Sequence, residues 1–181
     1  MARRKARSAK TPKRKPTPRR AARSSRGKPR RAARSAVSSI TPFLWFDDQF
    51  AQAAQFYVSL FPGSRIESRN PMGGTFVLAG QRFMGLNGGP MYRFSPAVSF
   101  FVVCRDQAEV DRLWAALEDG GNPSRCGWID DRFGVTWQIV PEAFLRLTSD
   151  KDPRKVKAVF AAMMQMVKMD VAGLQAAYDA A

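Results

Sequence analysis

Apolar residues along this chain switch between a spacing of two and a spacing near 3.6, and the switches divide it into elements. Residues 40–46 read as a strand, with Pro42 marking its start or a sheet edge. Phe50, Ala53, Ala54, Tyr57, Leu60 and Phe61 then recur at helical spacing, with Asp47 or Asp48 as N-cap and Pro62-Gly63 as the stop. Residues 64–70 read as a strand, and 75–79 with 82–86 as a hairpin around Gly80-Gln81. The second half repeats the plan. Residues 97–104 form a nearly continuous apolar strand, and Val110, Leu113, Trp114 and Leu117 mark a helix ended by Gly120-Gly121. Residues 126–141 read as a hairpin turning at Asp130 to Gly134, with Asp130 and Asp131 in a solvated turn.

The two halves superpose at an offset of 58, at which Phe43 meets Phe101, Phe56 meets Trp114 and Gly63 meets Gly121. One strand–helix–strand–strand–strand unit is therefore used twice, over 40–90 and 97–141. Alternation puts Thr41, Phe43 and Trp45 on one face of the first strand, and Ser99, Phe101 and Val103 on one face of its counterpart. Thr136, Gln138 and Val140 share the matching face of the last strand. The opposite faces, with Leu44, Phe46, Val98, Phe100, Val102, Val135, Trp137 and Ile139, are predicted to meet the helices. Beyond Pro141 the pattern gives a short helical turn over 142–147. Asp152-Pro153 then opens a helix whose apolar face is Val156, Val159, Phe160, Met163, Met164 and Val167, and Val171, Leu174 and Tyr178 mark a shorter one. The methionines read as core or dimer contact.

Charge changes this picture at one end only. Residues 1–39 hold five Lys and eleven Arg with no acid, and the remaining fourteen Lys and Arg face fifteen Asp and Glu, so +16 sits on the arm and −1 on the body. With almost nothing to bury, the arm is expected to be disordered. Clusters such as Arg3-Arg4-Lys5, Lys13-Arg14-Lys15, Arg19-Arg20 and Arg30-Arg31 suit non-specific contact with DNA or RNA phosphates. An Arg-rich targeting segment, or a start site further along the chain, explains the same composition. Two cysteines without regular spacing, no apolar run of about 20 residues and no hydrophobic stretch behind the basic N-terminus make a cytoplasmic protein the expectation. The absence of histidine excludes histidine-based triads and proton shuttles. Cys126 lacks an activating base, and both it and Cys104 read as structural.

A doubled βαβββ unit carrying DDQFAQAAQFYVSLFPGSRI, DQAEVDRLWAALEDGG and CGWIDDRFGVTWQIVP resembles the PhnB-like branch of the vicinal oxygen chelate superfamily, often labelled 3-demethylubiquinone-9 3-methyltransferase-like. The resemblance implies an α+β fold of paired βαβββ modules forming a cup-shaped mixed sheet over 40–147, commonly as a homodimer. A C-terminal helical extension over 148–181 and the disordered basic arm complete the chain. Carried over by position, the metal-ligand sites of relatives fall on Thr41, Asn87, Ser99 and Gln138. These are neutral hydroxyls and amides rather than His or Glu, so neither a transition metal nor another cofactor is expected. The glycines that a nucleotide-binding methyl-transfer fold needs between a strand and a helix lie instead in a β meander, which disfavours that activity. Two readings remain. One is a metal-free, dimeric small-molecule-binding or vestigial-enzyme domain with a pocket lined by Thr41, Phe43, Trp45, Asn87, Ser99, Phe101 and Gln138. The other is a nucleic-acid-associated protein that uses the arm for affinity.

Overall fold

The computed structural model describes residues 40–181. The basic arm lies outside the described residues, and with it the ten cations assigned to nucleic-acid contact. The first module runs β1 (Phe43–Phe46), α1 (Phe50–Leu60), β2 (Arg65–Asn70), β3 (Gly73–Leu78) and β4 (Gln81–Asn87). The second runs β5 (Phe100–Cys104), α2 (Gln107–Glu118), β6 (Asn122–Pro123), β7 (Trp128–Asp130) and β8 (Thr136–Pro141). Each makes a four-stranded sheet of the same topology, β1-β4-β3-β2 and β5-β8-β7-β6. In both, the first strand pairs in parallel with the last and the remaining neighbours are antiparallel. The doubled unit is therefore real, and the two mixed sheets form an open cup.

Packing follows the alternation. Leu44, Phe46, Trp137 and Ile139 are buried against α1 and α2, and Tyr57 of α1 and Phe61 at its C-cap meet Trp137 of β8 at ring distances of 5.3 and 5.8 Å. One aromatic core thus joins the modules. Val98 departs from the expected pattern. β5 begins at Phe100, because Ser95 to Ser99 turns instead of extending: the Val98 amide donates to the Ser95 carbonyl, and the Val98 side chain is exposed.

The helix caps differ between modules. Asp106 caps α2 by accepting from the Glu109 amide at 2.8 Å, and Glu109 reaches back to the Arg105 amide at 2.9 Å. Neither Asp47 nor Asp48 caps α1. The residue at that position is Gln49, whose side chain makes no cap bond, and Asn87 at the end of β4 accepts from the Phe50 amide at 2.9 Å instead.

Past Pro141, α3 (Glu142–Thr148), α4 (Pro153–Met163) and α5 (Val171–Asp179) build a second apolar cluster. Val140, Leu147, Val159, Met163, Met169 and Leu174 are buried in it. Its last segment is tied to sheet and helix alike. The Cys126 and Gly127 amides donate to Met166 and Val167 carbonyls, and the Gln107 side chain bonds to Met169 and Val171. The predicted apolar stripe of α4 is split, since Val159 and Met163 are core while Phe160 and Met164 are exposed. No helix among the described residues is long and apolar enough to cross a membrane.

Candidate functional site

The faces of the two sheets that turn away from α1 and α2 carry Phe43, Trp45, Phe101 and Gln138 of the predicted ligand residues, whereas Asn87 is in register with the helix-facing Phe46 and Thr41 precedes β1. Register places Phe43 beside Met84 and Trp45 beside Leu86 in one sheet, and Phe101 beside Gln138 in the other. The Gln138 amide donates to the Ser99 hydroxyl at 2.7 Å, joining β8 to the start of β5. The pair is neutral, and neither side chain carries a strong donor for a transition metal.

The seven predicted pocket residues do not converge on one cavity. Ser99 and Phe101 line a space of about 450 Å³ beside the open edge of β5, walled by Phe61, Phe83 and Trp137. Phe43 lines another of about 330 Å³ with Val98, Phe100 and Thr136. Trp45 is turned into a third, of about 360 Å³, by the bond from its indole N–H to the Gly89 carbonyl at 2.9 Å. None of these three cavities includes Thr41, Asn87 or Gln138. Asn87 is structural: besides capping α1, its amide donates to the Pro71 carbonyl at 3.0 Å, so both ends of the side chain are occupied.

The β7–β8 turn also departs from expectation. Asp130 is half-buried and accepts from the Thr136 hydroxyl at 2.5 Å, while Asp131 is 4% exposed. Asp131 accepts from the Phe133 and Val135 amides at 2.8 and 3.0 Å and from the Trp137 indole at 2.9 Å. Burial raises its pKa, and these bonds act against that rise. The fully buried Tyr57 hydroxyl feels the same carboxylate electrostatically without a well-formed hydrogen bond to it. Burial first, and then that neighbour, raise the Tyr57 pKa. The sequence did hold a signal for this. An aspartate three residues before a glycine in the left-handed conformation (Gly134, φ +83°) suits an Asx turn, and a Trp six residues on can supply the buried donor.

Of the two cysteines, Cys104 is core as expected, and its thiol is pushed up to about 12, chiefly by burial. Cys126 is only partly buried, with its sulfur 3.7 Å from that of Met164. Among the described residues no group of three or more Cys, Asp or Glu side chains is placed to hold a metal ion.

Comparison with known proteins gives a consistent result. Residues 38–140 match the family described as 3-demethylubiquinone-9 3-methyltransferase. A PhnB protein from Bacillus cereus is 30% identical, with a TM-score of 0.54, and the match covers 57% of this chain and 98% of that one. Protein PA1353 from Pseudomonas aeruginosa is 23% identical at a TM-score of 0.48, over 57% of this chain and 97% of that one. A glyoxalase/bleomycin resistance protein from Albidiferax ferrireducens T118 is 13% identical at a TM-score of 0.43, over 57% and 99%. No curated protein matches the sequence significantly. With more than half its length on the family model and the doubled βαβββ topology in place, the chain belongs to the PhnB-like 3-demethylubiquinone-9 3-methyltransferase family, within the vicinal oxygen chelate fold.

Proposed function

We propose that the chain is a homodimeric small-molecule-binding domain of this family that works without a tightly bound transition metal, and that a second copy closes its concave face. The observation that carries this reading is the exposure of that face. Phe43, Phe101 and Val103 are 53, 51 and 49% exposed on the sheet surfaces opposite α1 and α2, and Met84 stands beside Phe43. Large apolar side chains left exposed on a sheet face are a feature of interfaces and ligand grooves. The Ser99–Gln138 pair supplies a neutral donor and acceptor amid it, which suits orientation of an uncharged polar group better than binding of an ion.

Methyl transfer, which the family's description names, is not part of the proposal. The β1–α1 connection is Asp47-Asp48-Gln49 and the β5–α2 connection is Arg105-Asp106, so neither offers a glycine turn to a nucleotide. Saturable calorimetric binding of S-adenosylmethionine would restore that activity to consideration. Light scattering is expected to give a dimer mass for the full chain and a monomer mass for Phe101→Asp with the fold retained. A monomeric parent chain would overturn the dimer. Ligand binding is tested separately, by screening metabolites for shifts in melting temperature that Gln138→Leu abolishes.

A second reading is favoured by the charge partition of +16 against −1. The arm would tether the domain to nucleic acid, as an accessory to the first role. Retention on DNA is then expected to fall by about a thousandfold or more between 50 and 200 mM salt if six or more phosphates are contacted. Salt-independent retention would rule that mode out.

A further inference from the structure

At the end of β1, away from the Ser99–Gln138 pair, the chain builds a cavity of about 360 Å³ that the family resemblance does not account for. Five aromatic residues, Trp45, Phe46, Tyr92, Phe94 and Phe133, line it. Trp45 is held by its bond to Gly89 and meets Tyr92 edge-on at 5.1 Å, so two walls have fixed relative orientation. Phe94 and Phe133 both lean on the buried Phe46, at 5.3 and 6.5 Å. Three charged groups share the cavity: Asp47, Asp130 and Arg93. Among the described residues none of them makes an ion pair. One oxygen of Asp130 is taken by Thr136, which leaves the other for a ligand.

We infer that this cavity is a binding site for a small zwitterion whose cationic end is an organic ammonium. The faces of aromatic rings attract such cations, and attract them more strongly once water is displaced. Two carboxylates against one guanidinium set the sign of the charge that the walls favour, and neither carboxylate is paired with Arg93. Arg93 supplies the opposite charge, and its planar guanidinium suits a carboxylate in two-point contact. A simple metal cation fits less well, because the aromatic walls replace none of its oxygen ligands. The cavity shares no lining residue with the space beside Ser99 and Phe101, and its test reads ligand affinity rather than oligomeric state.

The test uses the full chain and three probes, glycine betaine, tetramethylammonium and acetate, followed by calorimetry and by tryptophan fluorescence, since Trp45 forms a wall. Betaine is expected to bind most tightly, tetramethylammonium about tenfold more weakly, and acetate not measurably. Asp47→Asn is expected to weaken both ammonium probes by about tenfold, as loss of one charge contact would. Arg93→Gln is expected to weaken betaine alone and leave tetramethylammonium unchanged. Tyr92→Ala, at an exposed position, serves as a second variant that leaves the core intact. The inference is overturned if neither ammonium probe gives saturable binding, if Asp47→Asn and Tyr92→Ala leave betaine affinity unchanged, or if acetate binds as well as betaine.

Discussion

Asp131 shows how one buried carboxylate can hold a turn together. Its three donors come from two amides and an indole, and a side chain that accepts nothing would leave all three without partners. Each unsatisfied buried donor costs about 1–3 kcal/mol, although such losses do not add fully. Asp131→Ala is therefore expected to destabilise the fold by about 2–4 kcal/mol in urea unfolding. The pH dependence has a definite sign. Because the folded-state pKa of Asp131 is raised, the folded chain holds this proton more readily than the unfolded chain does. Its contribution is fully present below the ordinary carboxylate range and is lost as pH rises through the folded value. The stability difference between parent chain and Asp131→Asn should thus be larger at acid pH than at neutrality, and the opposite trend would contradict the assignment. Tyr57 supplies the complementary test. Removing a buried hydroxyl that lacks a partner should be neutral or stabilising, so Tyr57→Phe is expected to gain up to about 1 kcal/mol. Loss of stability instead would mean that the hydroxyl donates to Asp131.

At the scale of elements, position in sequence and position in the fold agree wherever local periodicity decides the outcome. Phe43 and Phe101, 58 residues apart, occupy the same place in their modules, each on the first strand and paired in parallel with the last. Hairpins, the Asp152-Pro153 helix start and the helix-facing burial of Trp137 and Ile139 were legible for the same reason. What was not legible depends on partners far along the chain. Asn87 sits 37 residues from the amide that it caps, and no local pattern separates that role from a ligand's. Asn87→Ala should remove both its bonds and cost about 1–2 kcal/mol, with loss of helical circular dichroism preceding global unfolding. Asn87→Asp keeps the acceptor for Phe50 but not the donor to Pro71, and should fall between. The candidate site was legible only as a set of faces. Alternation assigned Phe43, Trp45 and Phe101 to one side of the sheets, but the divergence of Trp45 into its own cavity follows from the bond to Gly89 and from close packing at Gly88. A Cβ on Gly88 would lie 2.1 Å from the Trp45 ring, so Gly88→Ala should displace the indole and disturb the aromatic cavity before it harms the core.

For the molecule as a whole, the family module is not a closed unit in this chain. The match ends at Val140, and Val140 is itself buried by the C-terminal helices, in the cluster with Leu147, Val159, Met163, Met169 and Leu174. The extension also satisfies backbone groups on the module, since the Cys126 and Gly127 amides donate into residues 166 and 167. A single-residue probe grades this dependence: Leu174 is fully buried, and Leu174→Ala should cost about 2–5 kcal/mol, depending on how far the helices collapse into the space. Ending the chain at Pro141 asks for more. It bares Val140, removes the partners of two amides and strips Gln107 of its bonds to Met169 and Val171. Exposed apolar surface beside unpaired backbone at the β7 end favours association with other chains. The truncated protein is therefore expected to bind a hydrophobic dye and to aggregate on warming at a temperature below the melting point of the full chain. If it stays monodisperse and melts with the full chain, then the helices only shelter a module that is already complete. In that event Leu174→Ala should leave the melting of the module unchanged, which ties the two measurements to one physical question.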